Sequence, residues 1–130
     1  MRKLIITAAA LACSFIGHAS AQTSIQALSS SAIEASHVFC TGPCKLFTTS
    51  LTTGASSGFF MVFDASSVPA DGSLTTAPIY CWAWPANTGQ GYTWPVGVQT
   101  SKGLVAVFST GANCLTKTGS ATAFFSAQVQ

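Results

Sequence analysis

The sequence predicts an all-β fold: a single antiparallel β-sandwich, Ig-like or jelly-roll-like, of seven to eight strands stapled by disulfides. Three observations predict it. From Ile33 onward, short apolar and β-branched runs alternate with clusters of Gly, Pro, Ser, Asn and Asp, the punctuation of strands and turns. No segment repeats its apolar residues at the 3.6-residue spacing of an amphipathic helix. Beyond residue 21 stand four cysteines, Cys40, Cys44, Cys81 and Cys114, an even number that suits two bridges in an exported chain.

Residues 1–21 read as a signal peptide. Arg2 and Lys3 precede an apolar run over residues 4–16, and Ala19-Ser20-Ala21 offers a small-residue cleavage site. Cys13 leaves with this leader, because the apolar stretch before it is short for a lipidation signal and the later site is the better cut. The expected compartment is secreted or periplasmic. The leader is too short to anchor in a bilayer, and no later stretch approaches the ~20 apolar residues of a spanning helix, so no membrane span is expected. What remains of the 130 residues suffices for one domain with a core and not for two.

Residues 22–31 are small and polar without an apolar period, which predicts a flexible N-terminal arm or an exchanging edge strand. Residues 32–130 then form the sandwich domain. Its strands are expected at 32–39, 45–52, 58–64, 77–84, 92–99, 103–109 and 121–129, with a short one near 73–75. Phe59 to Phe63 and Leu104 to Phe108 are apolar at every position, as central strands covered on both faces would be. In contrast, Ala123, Phe125 and Ala127 alternate with Phe124, Ser126 and Gln128, the pattern of a half-exposed strand. Pro69-Ala70-Asp71-Gly72 and residues 109–113 supply turns.

Four cysteines permit three pairings. Cys40 with Cys44 and Cys81 with Cys114 is favoured, because the first pair flanks a Thr41-Gly42-Pro43 turn and the second joins two strand ends.

After the leader the chain holds no arginine, one histidine (His37), three acids (Glu34, Asp64, Asp71) and three lysines (Lys45, Lys102, Lys117). Catalysis has few groups to draw on. His37, Cys40 and Cys44 are spaced so that a soft metal could be held, but a disulfide between the cysteines is the simpler use of them in an exported chain. No Gly-x-Ser-x-Gly elbow, phosphate-binding loop or basic patch is present, which argues against a serine hydrolase, nucleotide chemistry and nucleic-acid binding. No cofactor or metal is expected, and the chain reads as non-enzymatic. Thirty serines and threonines beyond the leader supply uncharged β-compatible surface, and so little charge favours packing against copies of itself.

The functional signal is aromatic. Tyr80, Trp82 and Trp84 recur at every second residue, and after a turn Tyr92 and Trp94 do the same, so on an 80–94 hairpin each set shares one face. If Cys81 points inward to Cys114, the rings form an exposed platform for a protein interface or a surface glycan. If Cys81 points outward, the same rings are core. Pro85 and Pro95, following Trp84 and Trp94, would blunt a sheet edge.

Met61-Val62-Phe63-Asp64-Ala65 through Pro69-Ala70-Asp71-Gly72, then Gly103-Leu104-Val105-Ala106-Val107-Phe108-Ser109 and Ala123-Phe124-Phe125-Ser126-Ala127-Gln128, resemble small β-rich proteins encoded by tailed phages and prophages of Gram-negative bacteria. The resemblance covers most of residues 45–129 and rests on turn-and-strand signatures. It implies a structural or virion-associated role, with self or a larger protein assembly as partner and no active site to transfer. The signal sequence and cysteine set depart from a cytoplasmically assembled virion part and leave room for an exported surface protein.

Overall fold

The computed structural model describes residues 24–119 and 122–130; the predicted signal peptide lies outside the described residues. Ten strands follow in chain order: β1 (Gln26–Ser29), β2 (Ser36–Cys40), β3 (Cys44–Thr53), β4 (Gly58–Asp64), β5 (Gly72–Ser73), β6 (Tyr80–Trp84), β7 (Gly89–Thr100), β8 (Leu104–Ser109), β9 (Thr116–Lys117) and β10 (Ala123–Val129). All pairings are antiparallel. One four-stranded sheet runs β1-β10-β3-β7, a second runs β2-β8-β4-β6, and β5 pairs with β9 in a short separate ladder. Between consecutive long strands the chain passes from one sheet to the other at every connection except β4 to β6.

The burial pattern follows from strand periodicity. Leu46, Leu51, Phe125 and Ala127 of the first sheet and Phe60, Val62, Ala106 and Phe108 of the second belong to one buried cluster. The intervening residues of β4 and β8, Met61, Phe63, Val105 and Val107, point the other way into a second cluster with Val38, Leu74 and Cys81. The connections that carry β5 and β9 lie over this second cluster, with Leu74 N–H donating to Leu115 O at 2.8 Å. That is why β4 and β8, the two central strands of their sheet, read as apolar on both faces. β10 buries Ala123, Phe125, Ala127 and Val129 and exposes Phe124 and Gln128, the alternation its sequence shows.

Several expectations change. Ten strands replace seven to eight because β1 and β9 are short and lack an apolar period of their own. β1 falls inside the stretch expected as an arm or an edge strand; it is the edge of its sheet, held by four register pairs to β10. The short strand expected near 73–75 is Gly72–Ser73.

The expected 80–94 hairpin does not form. β6 pairs with β4 and β7 pairs with β3, so the two are edge strands of different sheets. The turn between them explains why. Thr53 Oγ1 donates to Pro85 O at 2.8 Å and accepts from Thr88 N–H at 3.3 Å, while Asn87 N–H donates to Gly54 O at 2.7 Å. Asn87 sits at φ 53°, in the left-handed region asparagine tolerates. Tied to the end of β3, the chain steps across to the first sheet instead of folding back on β6.

Both favoured disulfides are present: Cys40–Cys44 and Cys81–Cys114. The first spans the β2–β3 crossover between sheets. The second ties β6 to the 110–119 loop over the second cluster. With both thiols bridged, the spacing of His37, Cys40 and Cys44 offers no thiolate to a metal. His37 Nδ1 instead lies 2.7 Å from Glu34 Oε1, with the ring edge-on to Phe39 at 4.7 Å.

Candidate functional site

Because strand side chains alternate, placing Cys81 in the outer cluster turns Tyr80, Trp82 and Trp84 toward the cluster shared by the two sheets. β7 does the same from the other sheet: Tyr92 and Trp94 face in, while Gly91 and Thr93 are exposed. The exposed outer platform is therefore replaced by an inward-facing set. Its location is still distinctive, because β6 and β7 are edges of different sheets and the rings lie between them.

The rings stack on one another. Trp82 and Tyr92 lie 4.1 Å apart with planes 10° from parallel, and Tyr80 and Trp82 lie 5.3 Å apart at 2°. Phe60 of the central strand β4 joins them: it stacks on Trp82 at 5.7 Å and meets Trp84 edge-on at 5.4 Å. Trp94 tilts against Tyr80 at 4.9 Å. Such offset and edge contacts add to the area term, about 0.5 to 1.5 kcal/mol per pair. Trp84 is 2% exposed and belongs to the core. Tyr80, Trp82, Tyr92 and Trp94 are partly buried, so their rims line the surface between the two edge strands.

The arrangement is a rigid aromatic seam. Two flanking strands present edges that no other strand covers among the described residues. The faces of Trp82 are engaged by Tyr80, Tyr92 and Phe60, which stack on it. That suits apolar contact with a second protein surface better than stacking on the face of a sugar ring.

Two carboxylates, one at a strand end and one in a turn, have roles beyond those positions. Asp64, the last residue of β4, accepts from the amides of Ser101, Lys102 and Gly103 at 3.0, 2.7 and 3.3 Å and from Ser101 Oγ at 2.8 Å. The Lys102 amide, helped by the Ser101 hydroxyl and the remaining amides, lowers its pKa to about 2 against the opposing cost of desolvation. Asp71 pairs with Lys117, whose side chain is only 7% exposed, and this partner holds the Asp71 carboxyl below the usual range. No local signal marks either pairing, because the partners lie 37 to 46 residues away.

Comparison with known families, curated proteins and solved structures finds no match to this chain.

Proposed function

We propose that the chain is an exported, non-enzymatic jelly-roll sandwich that works by assembling with copies of itself or with a larger particle, as a surface or virion-associated component of phage or prophage origin. The observation that carries this reading is the aromatic seam of Tyr80, Trp82, Tyr92 and Trp94, partly exposed between the uncovered edges of β6 and β7. Aromatic residues at the rim of a rigid scaffold are the residue type favoured at the centre of protein interfaces. The strand orders β1-β10-β3-β7 and β2-β8-β4-β6, with repeated crossing between sheets, fit the eight-stranded double Greek key better than an Ig-like sandwich. The resemblance of the strand segments to phage-encoded β-proteins points the same way. Fold alone assigns no function, so the seam bears the weight.

Binding of a surface glycan on the same rings is the competing use. Mutual stacking of Trp82 with Tyr80, Tyr92 and Phe60 leaves it less free ring face than a sugar platform presents. Tryptophan emission read beside sedimentation velocity separates the two. Assembly predicts a blue shift that grows with protein concentration together with faster-sedimenting species. A shift that ignores protein concentration but follows added cell-wall or capsular polysaccharide would overturn assembly in favour of glycan binding.

A further inference from the structure

β4 and β6 are hydrogen-bonded neighbours, with Val62 opposite Tyr80, so a turn of a few residues would join them. The chain instead takes a detour over residues 65–79. Leu74 in this detour helps cover the second apolar cluster, which explains its presence over the sheet. It does not explain the cavity of about 320 Å³ between the detour and the β7–β8 turn. Connections this long without substantial secondary structure are uncommon in compact domains and often functional.

The cavity combines apolar and polar lining residues: Phe63 and Leu74, Ser67 and Thr75, and Lys102 beside Asp64. One wall is fixed in place. The Asp64 carboxylate gathers the amides of residues 101–103, and Gly103, at φ 150°, sits where a Cβ would come within 2.5 Å of Cys40 O and 2.6 Å of Ala65 O. The backbone of Lys102 is thereby fixed at the cavity while its side chain stays exposed. Of the lysines beyond the leader, Lys117 is paired with Asp71 and Lys45 lies over the Phe47 ring, and Lys102 is the one that lines this cavity. Both oxygens of Asp64 are engaged by three amides and a hydroxyl of residues 101–103, which stabilise its carboxylate without cancelling its charge.

We propose that this cavity is a binding site for a small hydroxylated carboxylate, an acidic monosaccharide in size and chemistry. The ammonium of Lys102 meets the carboxylate, the serine and threonine hydroxyls exchange hydrogen bonds with ligand hydroxyls, and the apolar lining takes the carbon face. The volume falls at the lower end of the range for small-ligand sites, which suits one sugar unit. The site is remote from the aromatic seam in lining and stands whether or not the seam mediates assembly.

Amide NMR titration of the purified protein tests it, with glucuronate as a free acid, a sialylated trisaccharide as a chain-terminal acid, and glucose as the neutral control. The expected result is saturable shifts at residues 66–76 and 101–103 with one or both acids and no saturation with glucose. Lys102→Gln, an exposed change that should leave the melting temperature in place, weakens binding about tenfold. Saturation by glucuronate identifies a free acid and saturation by the trisaccharide alone a glycan terminus; either supports the site. Absence of saturation with both acids, shifts confined to the aromatic seam, or affinity unchanged in Lys102→Gln would overturn it.

Discussion

Asp64 accepts hydrogen bonds from residues 101–103 of the turn between β7 and β8 through its carboxylate, and that makes it a pH-sensitive residue. Its folded pKa of about 2 lies below the ordinary carboxylate value, so its contribution is complete above about pH 4 and is lost as pH falls toward 2. Asp64→Asn keeps the shape but replaces one carboxylate oxygen by an amide donor facing the Ser101–Gly103 amides. We expect a lower denaturant midpoint at pH 7 and a shallower loss of stability between pH 4 and pH 2, both read by urea titration across pH. A residual acid dependence should persist from Asp71, whose carboxyl is also held low by Lys117. Trp84 and Trp82 make a second contrast at this scale. Trp84→Ala removes a side chain 2% exposed and should cost about 3 to 5 kcal/mol in urea unfolding. Trp82→Ala, partly exposed, should cost clearly less, and equal losses would place Trp82 in the core and weaken the case for a contact surface. The period-two spacing of Tyr80, Trp82 and Trp84 was legible in the sequence. Which of them water reaches was not, because exposure depends on Phe60 and Tyr92 arriving from other strands.

Among the elements, β4, β8 and β10 were readable because their own residues state their surroundings: two apolar faces for the first pair, alternation for the last. β6 and β7 were not. Their aromatic pattern fits a hairpin as well as two facing edges, and the choice is made by Thr53 and Gly54, more than 30 residues upstream of the turn they hold. β9 escaped notice because two residues carry too few side chains to show a period, and β1, with four, was legible only as an arm or an edge strand. The two disulfides act on elements very differently. Cys81–Cys114 closes a separation of 33 residues, and opening it should lower stability by about 3 to 4 kcal/mol on the chain-entropy estimate. Cys40–Cys44 closes only four, and its removal should cost about 2 kcal/mol. Guanidinium unfolding of the paired Cys→Ala variants checks the order; a larger loss at Cys40–Cys44 would mean that the β2–β3 crossover matters more than loop closure allows.

For the whole molecule, the fold class was legible and the partnership of its sheets only in part. Turn punctuation and period-two patterning announce an all-β chain with two bridges, but sheet order is a property of distant pairings such as Ala127 with Thr49, which no local stretch encodes. The same limit applies to the site: five aromatic residues stood out, while their common seam exists only because β6 and β7 end as edges of opposite sheets. Assembly through that seam is the central claim. It is tested most directly by oxidative footprinting of Trp82 and Trp94 in protein from producing cells and their released particles, separated on a density gradient. We predict that the protein sediments with a large species in which both residues are protected relative to the dilute free form. Protein found only at the top of the gradient, or equal labelling of Trp82 and Trp94 in both forms, would contradict it.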